Sequence, residues 1–584
     1  MGAEPRLRTL RTRWSGDVRS DCPLNDYPRP QFVRPGWLCL NGTWSFGIFP
    51  EDETPQHLGD TILVPFSPET ALSGAVRGPR TGEKAWYSRR FRLPEGFLRD
   101  RLLLHFGAVD QVCEVFVNGR SAGFHEGGYT PFTLEITPLV DAEGENTLTV
   151  AVSDPTELGA GAYGKQSETP ENIWYTAQSG IWQTVWMESV PDQYISDIRI
   201  TPVAAEKKVI LQLPDHCEGD AFAVFASGKR LLTGSFDEAG HAEFTLPDCI
   251  YWTPDRPFLY DLLLRRGRDI IKCYFAMRSI RAEKGKLYLN GKPIFLTGLL
   301  DQGYWPESLY TPPTDEAMVH DIETAKGMGF NVLRKHLKVE PMRWYYHCDR
   351  LGMLVWQDFP NGGAPYPFFW TAALPFLGLH LSDRNPDRFG RRSEKAQKLF
   401  RKEAEDIVKL LYNTPSVICW TLFNEGWGQF QTKELTKAVR DLDGSRLIDQ
   451  ASGWHDQKGG DFCSRHVYFL RPKLKADRRV QALTEFGGIS LNISAHSASD
   501  RAWGYKKAVS GEDLTAKLES LYREQILPLK EQGLQACIYT QLSDVETEMN
   551  GLLTWDRAVL KVDGARMLAL NELLKAPAEE RSEV

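Results

Sequence analysis

The chain has 584 residues, 42% of them hydrophobic and 25% charged, with a net charge of −8 and a pI near 5.9. That length exceeds what one hydrophobic core organises, so two to four domains are expected. The acidic balance excludes nucleic acid as the main partner, and no apolar run of about 18 residues is present to cross a membrane.

The opening stretch Met1–Leu10 lacks an apolar core, so no secretory signal is expected. The ten cysteines show no C-x-x-C or metal-ligand spacing. They read as small buried hydrophobes of a cytoplasmic protein, with no metal and no cofactor. Up to about residue 190 short alternating runs recur between turn signals: 84–93, 101–106, 111–117 and 146–152. Asn118-Gly119 after the third run is a hairpin turn signal. Residues 1–190 are therefore expected to form a jelly-roll β-sandwich. Further short runs, among them 209–213 and 221–226, predict a smaller immunoglobulin-like β-sandwich over 191–282.

From about 283 the period changes. Residues 293–299 read as a strand and 314–328 as a helix, with Asp315 and Glu316 in its first turn and Gly329 to end it. Strand-like runs follow at 330–334, 353–357, 417–423, 446–449, 464–468, 481–484 and 536–541, with helices at 342–350 and 393–411. Eight strands with intervening helices predict a (β/α)8 TIM barrel over 283–584. The last residues, 576–584, read as a frayed tail.

Two glutamates carry the chemistry. Glu425 follows the apolar run 417–423 and precedes Gly-Trp-Gly; Glu485 closes the run 481–484 and precedes Phe-Gly-Gly. Two carboxylates at the carboxyl ends of barrel strands can protonate a leaving oxygen and attack or stabilise an oxocarbenium-like carbon, which is what glycosidic cleavage requires. A second Asn-Glu pair, Asn571-Glu572, falls on a terminal helix and is assigned no function.

The segments 106–119, 125–132, 179–183, 252–260, 275–280 and 289–293, together with both glutamate motifs, resemble glycoside hydrolase family 2 from about residue 35 to 575. The resemblance implies an exo-acting retaining β-glycosidase, with a glycoside as substrate and a homo-oligomer as a compatible state. It implies Glu425 as acid/base, Glu485 as nucleophile and Asn424 as a ligand of the sugar 2-hydroxyl. Arg334 would hold Glu485 ionised, and Tyr468 of the His466-Val-Tyr468 element would donate a hydrogen bond to it. His466 reads equally as a satisfied core histidine. Asp301, Gln302 and Trp305 after the first strand, His336, Lys338 and Glu340 after the second, and Asp358 ending the third are further candidates to meet sugar hydroxyls. Trp454, Trp503 and Trp555 suit ring stacking or the wall of the site.

Departures from the family bear on the substrate. Where β-glucuronidases carry Asn-x-Lys, this chain has Glu548-Met-Asn550, an acid that repels a uronate. Lys335-His336 stands where Ser-His is frequent, which weakens a transferred role for His336. A neutral glycone is therefore expected, β-galactoside first. The alternatives are a same-fold β-glucuronidase, β-mannosidase or arabinosidase, or a carbohydrate-binding protein without turnover.

Overall fold

Alternating burial builds the first sandwich of this computed structural model, which describes residues 8–576 except Val76, Phe368, Leu377, Gly378, Arg501 and Ala502. Apart from Ala576, the expected tail lies outside the described residues. Six antiparallel strands run in the order Asp60–Val64, Gly42–Pro50, Glu83–Phe91, Asn146–Ser153, Val112–Val117, Arg120–Glu126. They face a sheet of Trp37–Cys39, Val185–Val190, Arg101–Phe106 and Phe132–Glu135. Trp44, Phe46, Tyr87, Leu104, Phe106, Val115 and Val150 fill the space between the sheets. Asn118 (φ 52°) and Gly119 (φ 74°) make the two-residue turn between Val112–Val117 and Arg120–Glu126. Both lie in the left-handed region that such a turn demands and that Asn and Gly adopt most readily.

The second sandwich packs Arg199–Val203, Lys208–Gln212 and His241–Thr245 on Lys229–Ser235, Ala221–Ala226, Tyr260–Arg266 and Asp269–Phe275. Its core of Val209, Leu211, Val224, Leu262 and Ile271 is separate from the first. Arg34 joins the two layers: its guanidinium meets Glu188 of the first sandwich at 2.8 Å and Asp269 of the second at 3.0 Å, all three groups being buried.

Eight parallel strands follow: β1 (Leu296–Asp301), β2 (Val332–Lys335), β3 (Leu354–Asp358), β4 (Val417–Thr421), β5 (Leu447–Asp449), β6 (Phe462–Val467), β7 (Val480–Gly487) and β8 (Leu534–Thr540). They pair in the order β5-β4-β3-β2-β1-β8-β7-β6. At the seam Asp461 N–H donates to Ile448 C=O at 2.8 Å. Among the surrounding helices, α1 (Asp315–Gly327) starts where Thr314 Oγ1 accepts the Ala317 N–H, and α2 is Met342–Leu351. α3 (Glu394–Leu411) starts where Ser393 accepts the Ala396 N–H. Each side chain satisfies a backbone donor that the first turn leaves free.

The structure corrects the predicted first strand. Pro293 has no N–H to give a parallel ladder. It belongs instead to the hairpin Lys286–Leu289/Lys292–Pro293, turned by Asn290 (φ 51°) and Gly291 (φ 77°). That hairpin closes the amino end of the barrel, with Leu287 and Leu289 packed on Leu296, Val332, Leu354 and Ile418. No helix among the described residues is long and apolar enough to cross a membrane.

Arg34→Ala leaves the Glu188 and Asp269 carboxylates buried without their shared cation. The expected cost is about 3–5 kcal/mol of stability, read from urea midpoints; an unchanged midpoint would show that the cation does not hold the two sandwiches together.

Candidate active site

The carboxyl ends of β2, β3, β4 and β7 converge on one buried guanidinium. Arg334, at 0% exposure, is held by acceptors on β3, β7 and the turn after β4. Nε donates to Asp358 Oδ1 at 3.1 Å, and Nη2 reaches Asn424 Oδ1 at 2.7 Å and Asp358 Oδ2 at 2.9 Å. Nη1 donates to Thr484 O at 3.0 Å and to Glu485 Oε1 at 3.2 Å. Burial works against its charge, but Asp358 and Glu485 hold its pKa above the ordinary arginine value.

After β4 the chain turns sharply. Glu425 occupies the left-handed region (φ 50°), strained for a residue with a side chain, and its N–H donates to Ser452 O at 3.0 Å. Glu485 lies inside β7 rather than at its end, because the ladder to β6 and β8 continues through Phe486. The two glutamates are 6% and 5% exposed. A carboxylate oxygen of each and a ring nitrogen of His466 all lie within 4.8 Å of one another.

The surroundings of the two acids differ. Tyr468 donates a short hydrogen bond to Glu485 Oε2, alongside Arg334 on Oε1. Burial and the neighbouring Glu425 raise the Glu485 pKa, against the pull of His466, Arg334 and Tyr468. Glu425 meets His466 Nδ1 at 2.7 Å. Burial raises Glu425 to about 7, opposed by Lys165 and Arg334 and reinforced by Glu548. His466 is itself pushed down to about 4, chiefly by burial, so its ring is neutral near pH 7.

The other predicted residues divide. Asn424 Oδ1 is bound to Arg334, while its buried Nδ2 has no partner among the described residues and stands ready to donate. His336 meets Asp358 Oδ2 at 2.8 Å and is neutral, lowered to about 3 by burial. Asp301 is taken up inside the protein: Oδ2 accepts from Lys335 at 2.6 Å and Oδ1 from Gly303 N–H at 3.0 Å. Lys335 and Lys338 also converge on Glu340 Oε1, at 2.8 and 2.9 Å. Gln302 donates to Gln541 at 2.9 Å, and its own Oε1 is buried without a partner among the described residues. Trp454 lies 6.3 Å from His466, ring to ring. Trp305 and Trp555 flank the Arg557 guanidinium, at 4.4 and 5.7 Å. Trp503 packs edge-on against Tyr505, and Tyr505 stacks on Tyr468 at 3.6 Å.

Sequence reading missed a group of residues that the fold delivers from elsewhere. A loop of the first sandwich reaches the barrel mouth, where Tyr163 and Gly164 donate backbone N–H groups to Asn361 O at 2.9 and 3.0 Å. It carries Lys165, Trp174 and Tyr175. Trp174 packs on Trp427 at 5.0 Å, and Tyr366 stacks on Trp427 at 6.1 Å. Tyr175 OH donates to Glu548 Oε2 at 2.5 Å, and Asn550 Nδ2 donates to Glu548 Oε1 at 2.9 Å. The Gly-Trp-Gly after Glu425 marked the place of Trp427; nothing local marked Lys165 or Tyr505.

Two β-sandwiches in front of a (β/α)8 barrel, with a close glutamate pair at its carboxyl end, define the structural class. Two models of one family match the chain: the sugar binding domain of glycosyl hydrolases family 2 over residues 38–191, and the TIM barrel domain of the same family over 280–485. The chain belongs to that family. It is 24% identical over 394 residues to a β-galactosidase of Thermoanaerobacter pseudethanolicus, covering 62% of this chain and 48% of that one. It is 26% identical over 364 residues to a putative β-glucuronidase of Formosa agariphila, covering 58% and 40%. The match thus spans less than half the length of either relative. A solved β-glucuronidase of an uncultured Clostridium superposes with a TM-score of 0.71 at 19% identity, over 92% of this chain and 97% of that one. That likeness speaks for the fold.

Asp301→Asn removes a carboxylate from a buried ion cluster. It is expected to lower the unfolding free energy by about 3 kcal/mol, as breaking a buried pair does. A urea midpoint equal to wild type would mean that Asp301 is free to serve the site.

Proposed function

We propose that this chain is an exo-acting, retaining β-glycosidase. The observation that carries the reading is the spacing of the acids, with oxygens of Glu425 and Glu485 within 4.8 Å of each other. Retaining enzymes hold their carboxyl groups about 5–5.5 Å apart, whereas inverting ones need about 6.5–9.5 Å to admit a water. In the first step Glu485 attacks the anomeric carbon. The bond to the leaving oxygen breaks as Glu425 gives that oxygen its proton. In the second step Glu425 takes a proton from water, the water oxygen attacks the same carbon, and Glu485 is released.

The electrostatics support this division of roles. A carboxyl raised to about 7 is protonated at neutral pH and can act as acid. Once Glu425 carries its proton it no longer opposes ionisation of Glu485, which then keeps Arg334 and Tyr468 as donors. Asn424, with its amide held by Arg334 and its Nδ2 unspent, is suited to a 2-hydroxyl whose hydrogen bond strengthens in the transition state. The first-sandwich loop across the barrel mouth favours a terminal sugar over the interior of a chain.

The preferred glycone is neutral, β-galactoside first. Glu548 stands where a uronate-binding enzyme places an amide, and Tyr175 and Asn550 hold it in place. A cytoplasmic setting is supported by ten cysteines that are all free.

The test is a set of initial rates on aryl β-galactoside, glucoside, mannoside, arabinoside and glucuronide. Glu485→Gln should abolish turnover, and Glu425→Gln should lower it about 10²–10⁴-fold on substrates with poor leaving groups. Proton NMR should show the β-anomer as the first product; an α-anomer would sink the retaining assignment. Because Glu425 must be protonated in the first step, kcat/KM should fall as pH rises through about 7. That basic limb should vanish in Glu425→Gln, and its persistence would move the acid role to another group.

A further inference from the structure

Lys165 is a buried cation that the double-displacement steps leave unused. It is 5% exposed and comes from the first sandwich, yet the acids that face it are Glu548, Glu485 and Glu425, all in the barrel. Its ammonium sits 5.1 Å from the Trp427 ring, 5.4 Å from Tyr175 and 5.5 Å from Trp174. Among the described residues no acceptor takes a hydrogen bond or a close ion pair from it. Aromatic faces compensate in part for lost hydration. The described residues themselves give this ammonium no acceptor, so the oxygen that completes it comes from water or from a ligand.

The nearest features on the cavity wall suggest which oxygen. Tyr175 N–H donates to Lys165 O at 2.9 Å, so the two residues are held side by side, and Tyr175 OH donates to Glu548. Glu548 accepts one bond on each oxygen, from Tyr175 and from Asn550, which leaves lone pairs free on both. A three-donor ammonium and an acceptor carboxylate therefore border the same space, close enough to attract but without touching. A hydroxyl fits between them, accepting from one and donating to the other. A carboxylate fits less well, because it gains Lys165 but also meets the carboxyl groups of Glu548 and Glu485.

We propose that Lys165 is a substrate-binding residue lent to the barrel by the first sandwich, and that with Glu548 it clamps a hydroxyl of a neutral glycone. The inference rests on the glycosidase reading for its kinetics, but sugar binding tests it separately.

The experiment compares wild type, Lys165→Met, Lys165→Arg and Glu548→Gln. Rates on the neutral aryl glycosides and the glucuronide are measured beside tryptophan-fluorescence titrations with galactose, glucose, mannose, glucuronate and galacturonate. Lys165→Met should lower kcat/KM on the best neutral substrate about 10- to 100-fold, the range for losing one charged hydrogen bond, mainly through KM. Its affinity for the matching sugar should fall by a similar factor. Lys165→Arg should recover part of the loss, and Glu548→Gln should weaken the same sugar. Thermal stability of Lys165→Met should equal or exceed that of wild type, since an apolar chain replaces a buried charge. Unchanged KM and affinity in Lys165→Met overturn the clamp while leaving the glycosidase intact. Selective loss of the uronide or uronate overturns the neutral-glycone assignment. If wild type turns over nothing, the glycosidase reading fails, and the titrations alone decide whether Lys165 binds sugar.

Discussion

The site depends on one buried guanidinium. Arg334, reaching across from β2, hydrogen-bonds to four groups on three stretches of chain: the end of β3, the turn after β4, and a backbone carbonyl and a side chain of β7. Removing a charge of this kind leaves Asp358 and Glu485 facing each other in a low-dielectric interior. The neighbours inherit their orientation from it. Asn424 presents its amide nitrogen because Arg334 holds its oxygen, and Asp358, fixed by the same group, fixes His336 in turn.

That arrangement makes two chemically identical side chains unequal. Both glutamates are buried to a similar depth, so desolvation pushes both toward the neutral form. Direct donors are concentrated on Glu485, which receives Arg334 and Tyr468, whereas the close partner of Glu425 is a neutral imidazole. Both carboxyls are raised, and Glu425, the member with fewer donors, is raised to about 7. The strained backbone at Glu425 belongs to the same logic. Glu425 takes the left-handed conformation in the turn after β4, and its carboxylate meets His466 of β6.

Much of this was legible in the chain itself. The capped helices, the period change near 283 and the Asn-Gly turns are local signals, and local physics decides them. Buried parallel strands announce themselves as apolar runs, so Glu425 and Glu485 could be located by what precedes them. Pro293 shows the limit: the apolar run continues through a residue whose missing N–H keeps it out of the parallel ladder. Asp301 shows another. Its position after β1 is plain in the sequence, whereas its partners, Lys335 and the Gly303 N–H, are set by how the loops after β1 and β2 fold together. Lys165 and Tyr505 lay beyond sequence reading, because neither sits near a motif and both reach the site through contacts far apart in the chain.

The first sandwich is therefore part of the site as well as its neighbour. Ala108, Tyr129, Tyr175 and Trp182 share one continuous core with the barrel residues Tyr304, Tyr310, Leu333 and Trp420. Trp182 Nε1 donates to Gly128 O at 2.8 Å, and Trp182 O accepts from Thr311 at 2.6 Å, so hydrogen bonds run from the sandwich into the loop after β1. A core shared in this way is close-packed and moves little, which a loop tethered only at its ends could not match. Lys165 adjoins that core through the short parallel bridge of its neighbour Gln166 to Tyr175. The barrel strands bring the two acids together, and the docked sandwich sets Lys165, Trp174 and Tyr175 beside Trp427 and Glu548.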